Sequence, residues 1–128
     1  MKTEKADTVE IELRSFEAYG AFMALSSLRA QPLPVKTALK VRRLIRDLLP
    51  SAKDREEVEE QLLKDYGGTV KENGTVEWET AKGAEELLAL NESTVTLNIV
   101  PLTEDELEGS VATAAALGLL EDVGILKE

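Results

Sequence analysis

Two short segments near opposite ends of the chain alternate strictly between apolar and polar residues. The apolar positions are Val9, Ile11 and Leu13 in Thr8–Leu13, and Val95, Leu97 and Ile99 in Thr94–Val100. A period of two predicts a half-buried β-strand, and the matched alternation suggests that the two strands pair. Most of the chain between them has helical periodicity. The sequence therefore predicts an α+β fold, helix-rich, with a helical hairpin packed on a small, mostly antiparallel sheet.

Three helices are predicted between the first strand and Tyr66. Ser15 is expected to cap the first, which runs to about Arg29 and ends at a Gln-Pro-Leu-Pro link, because a residue that precedes proline is pushed out of the α region. The second is a basic helix over residues 34–49, with Pro34 in its first turn. Pro50 is expected to break or kink it, and an acidic third helix then runs as far as Gly67-Gly68.

A β-hairpin is predicted around Glu72-Asn73-Gly74. A two-residue Asn-Gly turn would pair Val70 with Glu77, whereas a three-residue loop with Gly74 in the left-handed conformation pairs Val70 with Val76. We favour the second register, because it leaves Val76 and Trp78 on one face of the hairpin.

The C-terminal part is predicted to contain helices on both sides of the second alternating strand. A short helix covers Ala81–Leu90 before the strand. After it, Thr103 and Glu106 have the spacing of a capping box, which predicts a helical turn to Gly109. Ser110 then opens a last helix to about Glu121.

Length and composition limit the classes of function. A chain of 128 residues is normally one domain, so residues 1–128 are predicted to form a single domain in which residues 1–7 are flexible. The chain has no His and no Cys, which excludes imidazole and thiolate catalysis and any zinc site with nitrogen or sulfur ligands. We expect a protein that is not an enzyme and that needs no cofactor or metal.

The chain also lacks obvious signals for a membrane or for secretion. Its first residues contain no apolar segment typical of a signal peptide, and the longest apolar run, Val111–Leu120, is too short to span a bilayer. The expected location is the cytoplasm.

Charge is distributed unevenly along the chain. Residues 1–64 contain 12 Lys/Arg and 11 Asp/Glu, whereas residues 65–128 contain 3 and 14, and the net charge is −10. The basic helix is the exception in this acidic protein. Helical spacing places Lys36, Lys40 and Arg43 on one outer row, with Arg42 and Arg46 at its flanks. We predict that these five side chains bind a partner protein; the competing interpretation is that they pair with acidic residues of the same chain.

Two alternative functions remain open. The basic helix 34–49 could bind nucleic acid, although binders of nucleic acid usually have a basic balance over the whole domain. The acidic surface, including residues 56–60 and 104–108, could instead mimic DNA and inhibit a protein with a basic groove. Glu77 and Glu79 flank Trp78, but alternation puts both carboxylates on one face of one strand, which does not provide the opposed geometry of a glycosidase site.

The order of these features resembles a family of small, uncharacterised accessory proteins of tailed bacteriophages and prophages. The resemblance rests on Leu33-Pro34-Val35-Lys36 before a basic helix, an acidic helix that ends in Tyr66-Gly67, a Leu-Leu-x-x-Asn element at residues 87–91, and Leu107-Glu108 before a final Ala/Leu-rich helix. It implies a phage accessory protein that modulates a host enzyme or assists virion assembly, in the host cytosol or in the virion. It implies no catalytic residue.

Overall fold

The structure is a computed structural model that describes residues 8–107 and 114–127. The helices are α1 (Ser15–Arg29), α2 (Val35–Tyr66), α3 (Ala81–Glu92) and α4 (Ala114–Asp122). The strands are β1 (Val9–Arg14), β2 (Gly68–Val70), β3 (Val76–Trp78), β4 (Thr94–Ile99), β5 (Leu102–Thr103) and β6 (Leu126–Lys127). The predicted flexibility of residues 1–7, the predicted turn to Gly109 and the predicted helix start at Ser110 concern residues outside this description.

The two alternating segments do form strands, and they pair. β1 and β4 are antiparallel, with Val9 opposite Ile99 and Leu13 opposite Val95. Alternation buries one face of the pair, where Leu13 and Ile99 are almost fully inaccessible to solvent. The predicted pairing is therefore confirmed, and so is the α+β fold class.

A helical hairpin of α1 and α2 forms the largest packing contact of the fold. The two helices bury facing apolar side chains together with the inner face of the β1–β4 pair and the C-terminal segment. The buried positions on the hairpin include Ala18, Ala21, Leu25 and Leu28 of α1 and Val41, Leu44, Ile45 and Leu48 of α2. Most of this core is aliphatic.

Ser15 does not cap α1 as predicted. β1 extends through Arg14, which pairs with Thr94, so Ser15 becomes the first helical residue. Its backbone N–H donates to the carbonyl of Ser93 (2.7 Å). The cap is instead supplied by Glu17, whose Oε1 accepts a hydrogen bond from the backbone N–H of Arg14 (2.9 Å).

Pro50 does not divide α2. Of the two outcomes predicted for it, a break or a kink, the break is wrong. One helix of 32 residues contains both the basic and the acidic segments. Pro50 is exposed, opposite the face that carries Leu48 and Ala52 into the core. The packing of that face holds the helix together on both sides of the proline, because the lost hydrogen bond lies on the solvent side, where water can solvate the free carbonyl of Arg46.

The hairpin after α2 has the predicted register. Gly67 ends α2 in the left-handed conformation (φ 65°), and β2 and β3 pair Val70 with Val76 and Gly68 with Trp78. Gly74 also has a positive φ of 87°, as the three-residue loop requires.

The C-terminal strands form a pair that the sequence did not predict. β5 and β6 are parallel, with Leu102 opposite Leu126, and each strand has two residues. The predicted capping box is confirmed: the Thr103 N–H donates to Glu106 Oε1 (2.9 Å), and the Glu106 N–H donates to Thr103 Oγ1 (3.3 Å). This box precedes a single 3-10 turn, Asp105–Leu107.

Candidate functional site

The five predicted binding residues all lie in the N-terminal half of α2, but they are not equivalent. Lys36, Arg42, Arg43 and Arg46 are exposed, whereas Lys40 is half-buried. The helix turns the first four away from α1 and the β1–β4 pair. Lys40 lies at the edge of the buried face, where it meets the segment that follows β4.

Lys40 is paired within the chain. Its Nζ lies 2.8 Å from Glu106 Oε2, and it also donates to the backbone carbonyl of Pro101 (3.4 Å). Burial alone would raise the pKa of the Glu106 carboxyl, but hydrogen bonds from Lys40 and Thr103 outweigh it and hold the pKa below its usual value. Lys40 therefore joins α2 to the acidic C-terminal half, as the internal-pairing interpretation predicts for this one residue.

The other four cations have no such partner. None of Lys36, Arg42, Arg43 and Arg46 forms an ion pair or a side-chain hydrogen bond with another described residue. The nearest carboxyl in sequence is Asp47; burial raises its pKa, although Arg43 and Arg46 oppose the shift. Among the described residues, direct ion pairing thus accounts for Lys40 and for none of the remaining four, although Asp47 attracts Arg43 and Arg46.

Two apolar side chains, neither of which was predicted as part of the site, lie among these cations. Leu39 is 63% exposed and Val35 is 76% exposed. Together with Lys40, Arg42, Arg43 and Arg46, Leu39 lines a shallow groove of about 310 Å³. We call Val35, Lys36, Leu39, Arg42, Arg43 and Arg46 the basic surface. The signal was present in the helical spacing, since Leu39 precedes Arg42, Arg43 and Arg46 by three, four and seven residues.

The C-terminal half of α2 presents an acidic surface. Glu56, Glu57 and Glu60 are exposed. Glu56 Oε2 accepts a hydrogen bond from the Tyr19 hydroxyl (3.1 Å), and Glu60 forms a loose pair with Lys64 one turn later (3.7 Å). A single rigid helix therefore carries opposite charges at its two ends.

A second cleft, which the sequence did not indicate, surrounds Arg55. Its volume is about 330 Å³, and its walls come from the middle of α2, the end of α3 and β4. The Arg55 side chain is only 12% exposed, and it donates to Ser15 Oγ (3.2 Å) and Asn91 Oδ1 (2.6 Å). Because its hydrogen-bond acceptors come from α1 and α3, Arg55 joins these two helices to α2.

The carboxylates beside Trp78 do not form an enclosed pair. Glu77 and Glu79 are both exposed, and Glu77 forms an ion pair with Lys71 across the hairpin (3.3 Å). Among residues 8–107 and 114–127, no cluster of three or more carboxylates could hold a metal ion. No helix in these ranges combines the length and the hydropathy needed to cross a bilayer.

The comparisons with known proteins returned no relative: no protein-family model matches the chain, and neither a curated protein nor a solved structure is significantly similar to it.

Proposed function

We propose that this protein works by binding another protein through the basic surface of α2. The observation that carries the proposal is the exposed Leu39 among four cations that have no ion-pair partner in the part of the chain that the structure describes. Arginine is enriched at binding hot spots, where its guanidinium group forms bidentate pairs with carboxylates. An apolar side chain as exposed as Leu39 gains free energy when a partner removes it from water. The partner then presents an apolar socket with carboxylates at its rim.

The proposed partner is a host enzyme or a virion component. The order of sequence features that resembles phage accessory proteins supports this context, and so does the absence of His and Cys, which leaves little chemistry for catalysis. The proposal assigns no reaction to the protein. It assigns the cytosol of the host, or the assembling virion, as the place of action.

Nucleic acid is the second candidate, because four exposed cations on one helix also suit phosphates. Two features favour a protein. Leu39 and Val35 occupy positions on the basic surface where a phosphate-binding helix would gain from polar or cationic side chains, and the net charge of −10 repels a polyanion at long range.

The test is a capture experiment with matched charge changes. Tagged wild-type protein is used to capture partners from cells that express the gene; the captured protein is identified by mass spectrometry, purified and titrated. Lys36→Glu with Arg43→Glu should abolish binding without shifting the thermal transition, because both side chains are exposed and form no ion pair with any described residue. Lys71→Glu with Lys82→Glu makes the same change in net charge on the hairpin and α3, and it should leave binding intact.

Two results would contradict the proposal. One is a partner that binds the Lys36→Glu/Arg43→Glu variant as tightly as it binds the wild type. The other is a mobility shift with DNA or RNA at low salt that weakens steeply as salt is added, since that slope reports the release of counterions from phosphates.

A further inference from the structure

A stripe of alternating three- and four-residue spacing runs along the outside of α2. Seven of its eight members are exposed and the last is half-buried. They are Leu39, Arg42, Arg46, Leu49, Lys53, Glu56, Glu60 and Leu63. Alternating steps of three and four residues make the seven-residue repeat that keeps one seam of a helix facing a second helix.

The stripe has a symmetry that is visible in the sequence. Leu39 and Leu63 lie twelve residues on either side of Ser51, Arg42 and Glu60 lie nine, Arg46 and Glu56 lie five, and Leu49 and Lys53 lie two. Every position in the N-terminal half thus has a counterpart in the C-terminal half. At both charged positions the counterpart has the opposite sign.

We propose that two copies of the chain pair through α2, antiparallel, about a two-fold axis level with Ser51. The inference rests on the proposed function in that it uses Leu39, Arg42 and Arg46 of the same surface, so the second copy and the proposed partner compete for these three residues. An isologous contact of this kind makes every pair twice. Arg42 then meets Glu60 of the second copy, Arg46 meets Glu56, and Leu39 meets Leu63.

The antiparallel direction follows from the charges. A parallel pair would place Arg42 against Arg42 and Glu60 against Glu60, and like charges in direct contact oppose association strongly. Only the antiparallel pair joins the basic half of one helix to the acidic half of the other. The paired stripe, from Leu39 to Leu63, is about 36 Å long at the rise of an α-helix.

Most of the groups involved are available for this contact. Glu56 Oε2 accepts a hydrogen bond from the Tyr19 hydroxyl (3.1 Å), which leaves the other carboxylate oxygen for Arg46. Arg42 and Arg46 have no ion-pair partner among the described residues. Glu60 is held only by the loose pair with Lys64, which joins two side chains that are 69% and 73% exposed; exposed pairs of this type contribute little. Leu49, which is 41% exposed, can pack against the alkyl part of Lys53.

Net charge sets the expected strength of the dimer. Two chains of −10 repel each other at long range, so the local pairs act against an unfavourable background. We expect a reversible dimer with a dissociation constant in the micromolar range.

Sedimentation velocity over a range of protein concentrations tests the pairing. Wild-type protein should shift from a 14.0 kDa monomer toward a dimer as concentration rises. Arg42→Glu alone and Glu60→Arg alone should each weaken the dimer by about 100-fold or more, since each places like charges in contact twice. The double variant Arg42→Glu/Glu60→Arg should dimerise again, because it restores both pairs with the signs exchanged. An equimolar mixture of the two single variants should likewise form a heterodimer.

Charge reversals at Arg46 and Glu56, made singly and together, test the pairing independently in the same way. A wild-type chain that remains monomeric up to millimolar concentration would overturn the inference, and so would single charge reversals that leave the dimer unchanged. These failures are separable from failure of the proposed function, because Lys36 and Arg43, which test partner capture, lie outside the stripe. If the wild type is monomeric and the Lys36→Glu/Arg43→Glu variant still loses its partner, the dimer is ruled out and the proposed function stands.

Discussion

Trp78, the one tryptophan of the chain, packs against two glycines. Gly68 lies opposite it in the β2–β3 hairpin, where a Cβ would stand 2.7 Å from Trp78 Cζ3, and Gly83 lies in α3, where a Cβ would stand 2.6 Å from Cδ2 and still closer to Cε3. Atoms cannot approach so closely, so the indole occupies space that only glycine leaves free. This contact fixes the hairpin onto α3.

Gly83→Ala should therefore lower stability, although alanine is the better helix former. The propensity gain is about 1 kcal/mol, whereas forced overpacking costs about 1–3 kcal/mol, and the indole ring must move. We expect a lower midpoint in urea and a red-shifted emission maximum, because no other tryptophan contributes to the fluorescence. Gly118→Ala is the matched control: no described atom lies within 4 Å of its Cβ position in α4, so it should raise stability and leave emission unchanged. A stabilised Gly83→Ala variant would contradict the close packing of Trp78.

At the scale of secondary structure, local signals predicted most elements where a single physical rule decides the outcome. Alternation located β1 and β4, and the need for a positive φ at Gly74 fixed the hairpin register. The effect of Pro50 was not predicted correctly, because local propensity favours a break at proline. The packing of Leu48, Ala52 and Leu62 against the rest of the core keeps α2 continuous. The β5–β6 pair was missed because strands of two residues carry no periodicity.

In the candidate site, too, features set by local sequence were predicted and features set by tertiary contacts were not. The basic face of α2 could be read from helical spacing, since Arg42, Arg43 and Arg46 are exposed as expected. The partner of Lys40 could not be predicted in this way, because Glu106 is 66 residues away in sequence and only the tertiary fold brings it near. Arg55 was overlooked for a related reason: its sequence context is acidic and helical, and its burial depends on Ser15 and Asn91 from two other elements.

Pro50→Ala should stabilise the protein by about 1–2 kcal/mol. Proline in a helix interior destabilises the folded state by about 3 kcal/mol relative to alanine. Alanine also has more conformational freedom in the unfolded chain, which reduces the net gain from the substitution by up to about 1 kcal/mol. The substitution restores one backbone hydrogen bond on the exposed side of α2 and removes no buried contact. Thermal unfolding should show a midpoint higher by a few degrees, and circular dichroism should show slightly more helix. An unchanged or lower midpoint would mean that the fold needs a bend at this residue.

At the scale of the whole molecule, the nearly neutral first half and the acidic second half are joined directly. β1 pairs with β4, Arg14 pairs with Glu92 (3.4 Å), and Lys40 pairs with Glu106 (2.8 Å). The last pair is the less exposed of the two ion pairs, with side chains 31% and 23% exposed. Among the described residues, it is the ion pair that joins the C-terminal segment to α2.

The stability that this contact adds should depend on pH in a defined direction. The pKa of Glu106 is lowered in the folded protein, so its contribution is complete above the ordinary carboxyl pKa and is lost as pH falls through the folded value. At pH 7, Glu106→Gln should cost about 1 kcal/mol, since glutamine keeps the shape but not the charge-assisted hydrogen bonds. The gap in midpoint between wild type and variant, followed by thermal unfolding from neutral to acidic pH, should narrow below about pH 4.5 and close at lower pH. Glu104→Gln removes the same charge from an exposed neighbour and should show no such gap. A gap that stays constant with pH would mean that Glu106 acts through packing and not through its charge.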